Sequence, residues 1–338
     1  MPDSNYRVYY ACHYAAIGAE STGSGIPIHG LQSISTTTSF NLEQVFELGQ
    51  LDIYENIENL PNVEMTLTKV LDGYPLIYHL ASQGATSKTL ANRTNKKSDV
   101  IVSIFSDAKD NASGTPMTQA YSSGMYINSL SYNLPVQGNC TETVNLVGND
   151  RIWRSENFYF DGHFDGDDEP LDAVQRRQHV VMGGDAWASV WPTNLQGVTV
   201  INGSGYNALT AGVYGAHIQD VSISTNLGRT DLFELGRRKP YYRFANFPVA
   251  VDCSINVSAG GASPGDLVQA NSDTDNLTNQ PIVIKLDDTT VFDLGDRNKL
   301  LSVTYSGGDS SGGVASITYN YQNFNRLDIT HGEDPDGL

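Results

Sequence analysis

Alternation of apolar and polar positions marks two stretches of this chain as half-buried strands. Val63, Met65 and Leu67 alternate in the first, and Val249, Val251, Cys253 and Ile255 in the second, each shortly after a proline, Pro61 and Pro248. Ahead of each lies a run rich in Ser, Thr and β-branched residues, 31–38 and 217–225, also strand-forming. Between run and proline the period changes. Asn41 with Gln44 makes a candidate N-cap pair, Leu42, Val45, Phe46 and Leu48 form an apolar stripe, and Gly49 can close a helix, so a helix is predicted over 41–49. A counterpart is predicted over 230–236, ending at Gly236 with Arg237 and Arg238 at the negative helix end. Further on, residues 300–305 and 314–321 flank a Gly/Ser loop and read as a hairpin, with 132–144 as an earlier one.

These elements recur because the chain repeats. At a constant offset of 187, Gln32 matches Gln219, Ser35 matches Ser222 and Thr38 matches Thr225; Phe46-Glu47-Leu48-Gly49 matches Phe233-Glu234-Leu235-Gly236. Tyr54 with Tyr241, Asn59 with Asn246 and Pro61 with Pro248 complete ten identities over positions 32–61, where ordinary residue frequencies would give roughly two. Apolar character persists where identity does not, as in Ile34 with Val221 and Phe40 with Leu227. Farther along the offset falls to 173: Leu130-Ser131-Tyr132 answers Val303-Thr304-Tyr305, and Val100-Ile101-Val102 is matched in pattern with Ile282-Val283-Ile284. Two copies of one mainly β domain are implied, with boundaries at 1–149 and 196–338 and an insertion or connecting arm over 150–195.

Composition narrows the function. Of 338 residues, 20 are Lys or Arg and 38 Asp or Glu, a formal net charge of -18, and no basic stripe stands ready to neutralise phosphates. Cys12, Cys140 and Cys253 are odd in number and far apart, which suits buried, inert thiols. No run approaches the roughly 18 apolar residues of a membrane span, and residues 8–19 read as a strand. Basic clusters survive at Lys88, Arg93, Lys96 and Lys97, at Arg176 and Arg177, and at Arg237, Arg238, Lys239 and Arg243. They suit solvated loops or charge-steered contacts with a neighbouring copy.

Candidate chemistry is sparse. Asp161, Asp165, Asp167, Asp168 and Glu169 do not follow the spacing of a calcium loop and read as solvated acid. Gly261-Ala262-Ser263-Pro264-Gly265 fits the pattern of a hydrolase nucleophile elbow, but Pro264 cannot donate the backbone N–H that an oxyanion needs after the serine. The histidines, His13, His29, His79, His163, His179 and His217 among them, show no paired metal-ligand spacing, and Gly23-Ser24-Gly25 leads into no dinucleotide turn. No catalytic, cofactor-binding or metal-ligating residue is assigned, and no cofactor is expected.

The segment from Ser35 through Phe46-Glu47-Leu48-Gly49 to Pro61, with its second copy at 221–248, resembles the tail tube proteins of long-tailed bacteriophages. The resemblance implies two tandem tail-tube-like β-sandwich or barrel domains, each with one flanking α-helix, whose strands join an inter-subunit barrel. It implies a structural virion protein, not an enzyme: a major tail tube subunit, assembled in the host cytoplasm, whose stacked rings conduct DNA during ejection. Its expected partner is itself, three duplicated chains making a pseudo-sixfold ring, with sheath, tape measure and tail terminator proteins as neighbours. DNA would pass without specific binding along a bore lined by much of the acidic surplus. The residues 83–99 and 107–124 would be loops reaching neighbouring rings. A baseplate or decoration protein, a glycan-binding β-sandwich and a hydrolase using Ser263 are the alternatives.

Overall fold

The computed structural model describes residues 8–20, 25–83, 85, 87–105, 116–155, 170–182, 187–192, 217–258, 277–307 and 315–332. The acidic run 161–169 and the Ser263 segment lie outside the described residues. Strands dominate. In chain order they are β1 His13–Ala19, β2 Ile26–Pro27, β3 Leu31–Phe46, β4 Ile53–Val70, β5 Ser98–Ile104, β6 Thr118–Pro135, β7 Thr141–Gly148 and β8 Ile152–Ser155. Then come β9 His217–Asn226, β10 Thr230–Leu232, β11 Tyr242–Phe244, β12 Ala250–Ser258, β13 Val283–Lys285, β14 Val291–Asp293, β15 Lys299–Ser306, β16 Ser316–Phe324 and β17 Asp328–Thr330. Two short helices, α1 Ile77–Ala81 and α2 Leu90–Thr94, are the α-helices among the described residues.

Twelve strands share one antiparallel sheet. Its main run has the order β3-β4-β7-β6-β9-β12-β16-β15, and the N-terminal half of β6 also pairs with β5 and β8, β5 leading to β1 and β2. The main run consists of two sets of four strands with matching register. Thr38 faces Val63 as Thr225 faces Val251, Leu67 faces Val144 as Ile255 faces Tyr319, and Leu130 faces Val144 as Val303 faces Tyr319. Irregularities coincide as well. The pairing skips Gln32 in one copy and Gln219 in the other, and it skips Asn128 and Leu301 at a second matched pair of bulges. β3 and β9 are thus offset by 187 and β6 and β15 by 173, as in the sequence, while their partners β4 and β12 are offset by 188 and β7 and β16 by 175. Position 100–102 is a different matter: β5 pairs with β1 and β6, whereas β13 belongs to a separate sheet with β14 and β17, so that pattern match joins unequal elements.

One face of the sheet builds the core. Val63, Met65 and Leu67 with Val251, Cys253 and Ile255 are buried in a single apolar cluster that runs through both sets, and Tyr132 meets Phe292 at a ring-centroid distance of 4.7 Å. Burial of this kind contributes about 1.5–3 kcal/mol per large side chain. Cys12, Cys140 and Cys253 are buried free thiols, and burial pushes Cys140 and Cys253 up to about 12. The β13-β14-β17 sheet closes the end of this core and is clasped to the first half of the chain. His331 Nε2 lies 2.9 Å from the Gly73 carbonyl and Nδ1 2.7 Å from Thr290 Oγ1, while His79 Nε2 lies 3.1 Å from the Ile329 carbonyl.

The helices predicted over 41–49 and 230–236 are not there. β3 continues as strand to Phe46, turns, and returns as β4, with Leu42 opposite Glu58, Glu43 opposite Ile57 and Val45 opposite Glu55. In the second copy β10 and β11 pair Asp231 with Arg243. A lone helix of two turns cannot sustain itself without a body to bury its stripe. Here the segment leaves the body, and pairing with the returning strand satisfies its backbone instead. Gly49 and Gly236 serve the turns, at φ +94 and +84.

The arm predicted over 150–195 is partly strand β8 and partly chain laid back on the body. Asp172 N donates to Asp72 O at 3.0 Å and Gln175 N to Leu71 O at 2.8 Å, and Trp191 is buried. The expected free loop 83–99 contains α2, whose Arg93 is buried, and β6 occupies 118–124; residues 106–115 lie outside the described residues.

Candidate functional site

Three surfaces stand out, and each follows from how the sequence alternates. The first is a pair of hairpin arms. The distal halves of β3 and β4 expose Phe40, Leu42, Phe46, Ile53, Tyr54 and Ile57, with Leu48 and Leu51 wholly exposed at the tip. The β10–β11 arm exposes Phe233, Leu235, Tyr241 and Phe244 at matching positions. Tyr54 and Tyr241, Phe46 and Phe233, and Leu48 and Leu235 are identities of the repeat, so much of what the two copies share lies on the outside. An apolar surface of this kind is unusual on a chain that stays alone. The arms lie side by side: Arg238 reaches the Glu58 carbonyl at 3.4 Å, and a groove between them is lined by Asn41, Leu60, Asp231 and Phe233.

The second surface comprises the two ends of the main run. β3 pairs only with β4 and β15 only with β16 among the described residues. From residue 31 to 40 and from 300 to 306 the sequence has no charged residue. Exposed edges are normally blunted by charge or proline, and these spans carry neither, Glu43 and Lys299 lying just beyond them.

The third is the open face of the main run, opposite the core. It presents Ser35, Thr37, Thr66, Thr143, Ser131, Ser224, Ser254, Asn320 and Thr304 in neighbouring registers, a surface of hydroxyls and amides. Its carboxylates are few. Glu64 and Asp252 hold equivalent positions, and Asp220 stands in the place of Ser33. Desolvation holds the Asp220 carboxyl above its ordinary range, against the backbone hydrogen bond from Val221. Lys299 enters only at the margin, its Nζ donating to Leu277 O at 2.7 Å. The acidic surplus is thus not concentrated on this face.

The basic clusters are largely engaged within the chain. Arg243 pairs with Asp231 at 2.9 Å, Arg237 with Glu234 at 2.9 Å, Lys239 with Asp150 at 2.7 Å and Lys97 with Glu20 at 3.1 Å. Arg176 donates to Asn139 Oδ1 at 3.0 Å and Arg177 to Val136 O at 3.5 Å. Arg229, which the sequence did not single out, bridges the two strand sets. It donates to the carbonyls of Ile127 at 2.6 Å, Arg243 at 3.0 Å and Thr94, and its guanidinium sits 4.7 Å from the Tyr126 ring centre. Burial lowers its pKa to about 10.

The most buried ionisable cluster supports the fold. Glu142 Oε2 accepts from Ile77 N at 2.6 Å, and Oε1 from Tyr78 N at 3.0 Å and Tyr132 Oη at 2.8 Å. Burial raises the Glu142 pKa, against the pull of Lys69, which itself pairs with Asp72 at 3.1 Å. Lys69, Asp72, Tyr78, Tyr132 and Glu142 are all buried. No group of three potential metal ligands occurs among the described residues, and no helix described is long and apolar enough to cross a membrane.

No family model matches the chain, and no curated protein matches it. Among solved structures it is similar to a chain from the sheath-tube complex of an extracellular contractile injection system in the extended state, with 13% identity and a TM-score of 0.34 over 45% of this chain and 94% of that one. The sheath/tube terminator of that system gives 13% and 0.34 over 45% of this chain and 99% of that one. The tube-terminating cap of the anti-feeding prophage gives 12% and 0.33 over 44% and 92%.

Proposed function

We propose that this chain is a structural subunit that polymerises with itself into stacked rings, the tail tube of a long-tailed bacteriophage, and performs no catalysis. The observation that supports it best is the duplicated strand set whose two end strands have no outer partner among the described residues and no charge over 31–40 and 300–306. Each set takes the place of one tube domain. A closed ring is the arrangement that satisfies such edges without limit on one side or a bare strand on the other. Three duplicated chains would then give six similar positions around the axis.

The open face lines the bore in this reading. Rotatable hydroxyls and amides offer no fixed cation to a phosphate, and the sparse carboxylates repel it, so a polyanion meets neither an ionic trap nor a hydrophobic wall. The hairpin arms project from the ring and bury their apolar tips on the next one. At about 25 cal/mol per Å² of apolar surface, even a few such side chains per arm give stacking a useful driving force.

Negative-stain microscopy of the purified protein, at rising concentration, tests this directly. Hollow tubes or stacked rings are expected. Discrete single chains at every concentration and ionic strength would overturn the proposal, and a solid particle or a glycan-binding monomer would favour the alternatives.

A further inference from the structure

The chain carries inside itself a joint between two strand sets, and we infer that this joint is the template for the contact between chains: β15 of one copy pairs antiparallel with β3 of the next, in the register of β6 with β9. This deepens the self-assembly reading above and rests on it.

β6 is the last strand of the first set and β9 the first strand of the second, and they pair Leu130 with Thr225, Ser131 with Ser224 and Tyr132 with Ile223. Residue by residue β15 corresponds to β6 and β3 to β9, as the shared partners and the shared bulges at Asn128 and Leu301 and at Gln219 and Gln32 require. Carrying the junction across gives Val303 opposite Thr38, Thr304 opposite Thr37, Tyr305 opposite Thr36 and Ser306 opposite Ser35. Leu227 N donates to Asn128 O at 2.9 Å inside the chain, so Phe40 N would donate to Leu301 O between chains.

Burial argues for a missing partner at these places. Leu227 is 0% exposed where its counterpart Phe40 is 72% exposed, and Tyr132 is 0% exposed where Tyr305 is 56% exposed. Leu227 is bonded across the internal joint through its backbone N, and Tyr132 stands opposite Ile223 there, its ring packed on Phe292 and its hydroxyl donating to Glu142. Chemistry agrees on both faces. Thr304 and Ser306 would stand beside Thr37 and Ser35 on the open face, as Ser131 and Asn133 stand beside Ser224 and Ser222. Val303 and Leu301 would meet Thr38 and Phe40 without setting one charge against another, and the hydroxyl face would continue unbroken across the seam.

Cysteine pairs distinguish this register from others. The test pair is Thr37→Cys with Thr304→Cys, and the slipped control is Thr37→Cys with Ser302→Cys, two residues along on the same face. Ser131→Cys with Ser224→Cys reports the same geometry within one chain. In register the Cα atoms stand about 5 Å apart. A two-residue slip moves them to about 8 Å, beyond disulfide reach.

On mild oxidation of assembled protein, the test pair is expected to give disulfide-linked chains at least about ten-fold more readily than the slipped pair. As a second readout, Leu301→Glu and Phe40→Lys should each reduce assembly, and the two together should restore it. Assemblies that form with the slipped pair linked, or with the double charge variant no better than the single ones, overturn the register and leave self-assembly standing. Wild-type protein that never assembles overturns both.

Discussion

Leu48 and Leu235, 187 positions apart, sit at the tips of two hairpins and are both wholly exposed. Each precedes a glycine of positive φ that makes the turn, Gly49 and Gly236. A side chain that touches nothing in its own chain adds nothing to that chain's folding, so the double change Leu48→Asp with Leu235→Asp is expected to move stability by no more than about 0.5 kcal/mol. Under the proposed self-assembly, stacking of rings should fail in the same variant. Thermal melts followed by circular dichroism and electron micrographs of the assembled protein check the two halves of that statement.

Glu142 gives a pH signature. Burial raises its pKa above the ordinary 4.5, so the protonated form is favoured by folding. Its contribution is fully present below the unfolded value and is lost as pH rises through the folded one. Glu142→Gln should therefore flatten the fall in stability on the alkaline side of about pH 4.5. It should also cost about 1–3 kcal/mol at pH 7, because one amide oxygen cannot receive all three donors that the carboxyl now accepts. Denaturant titrations of both proteins across pH 4–8 would show it.

Arg229 ties the strand sets together through three part-buried carbonyls, and its loss would take a donor from each. Arg229→Ala is expected to cost about 3 kcal/mol in unfolding free energy. Arg229→Lys should recover only part, since an ammonium lacks the planar fork that reaches Ile127, Arg243 and Thr94 together. Urea midpoints of the three proteins, read with their slopes, decide this.

Gly73 has φ +81, and a Cβ there would come within 2.6 Å of the backbone nitrogen of Asp172. Gly73→Ala combines left-handed strain with a collision against the arm that follows β8, and is expected to destabilise by about 1–3 kcal/mol. Faster amide exchange at Asp172 and Gln175 would locate the damage there.

Strand identity and the repeat were legible because alternation and internal identity are local properties. Val63, Met65 and Leu67 fall on the core face as their spacing requires, and Gln32 matches Gln219 because both occupy one bulge. The arms were misread because the stripe of Leu42, Val45, Phe46 and Leu48 satisfies a helical period and a strand equally over so few residues. What decided between them was the returning strand at Ile53 and Ile57, a partner that no window over 41–49 contains. The match of Val100 with Ile282 failed for a related reason: short β-branched triplets suit any buried strand. Arg229 escaped notice because its role depends on carbonyls brought from three separate segments. The free edges were visible only once every strand had found its neighbours.

The β6–β9 joint has a kinetic meaning. In any assembly propagated through β3 and β15, every second lateral seam is already made when the polypeptide folds, at no dependence on concentration. Each such seam spares the loss of translational and rotational freedom, of order 4–15 kcal/mol, that a separate molecule would incur on docking. It also fixes the alternation of unlike repeats around the circumference, so any feature belonging to one copy alone recurs at every other position.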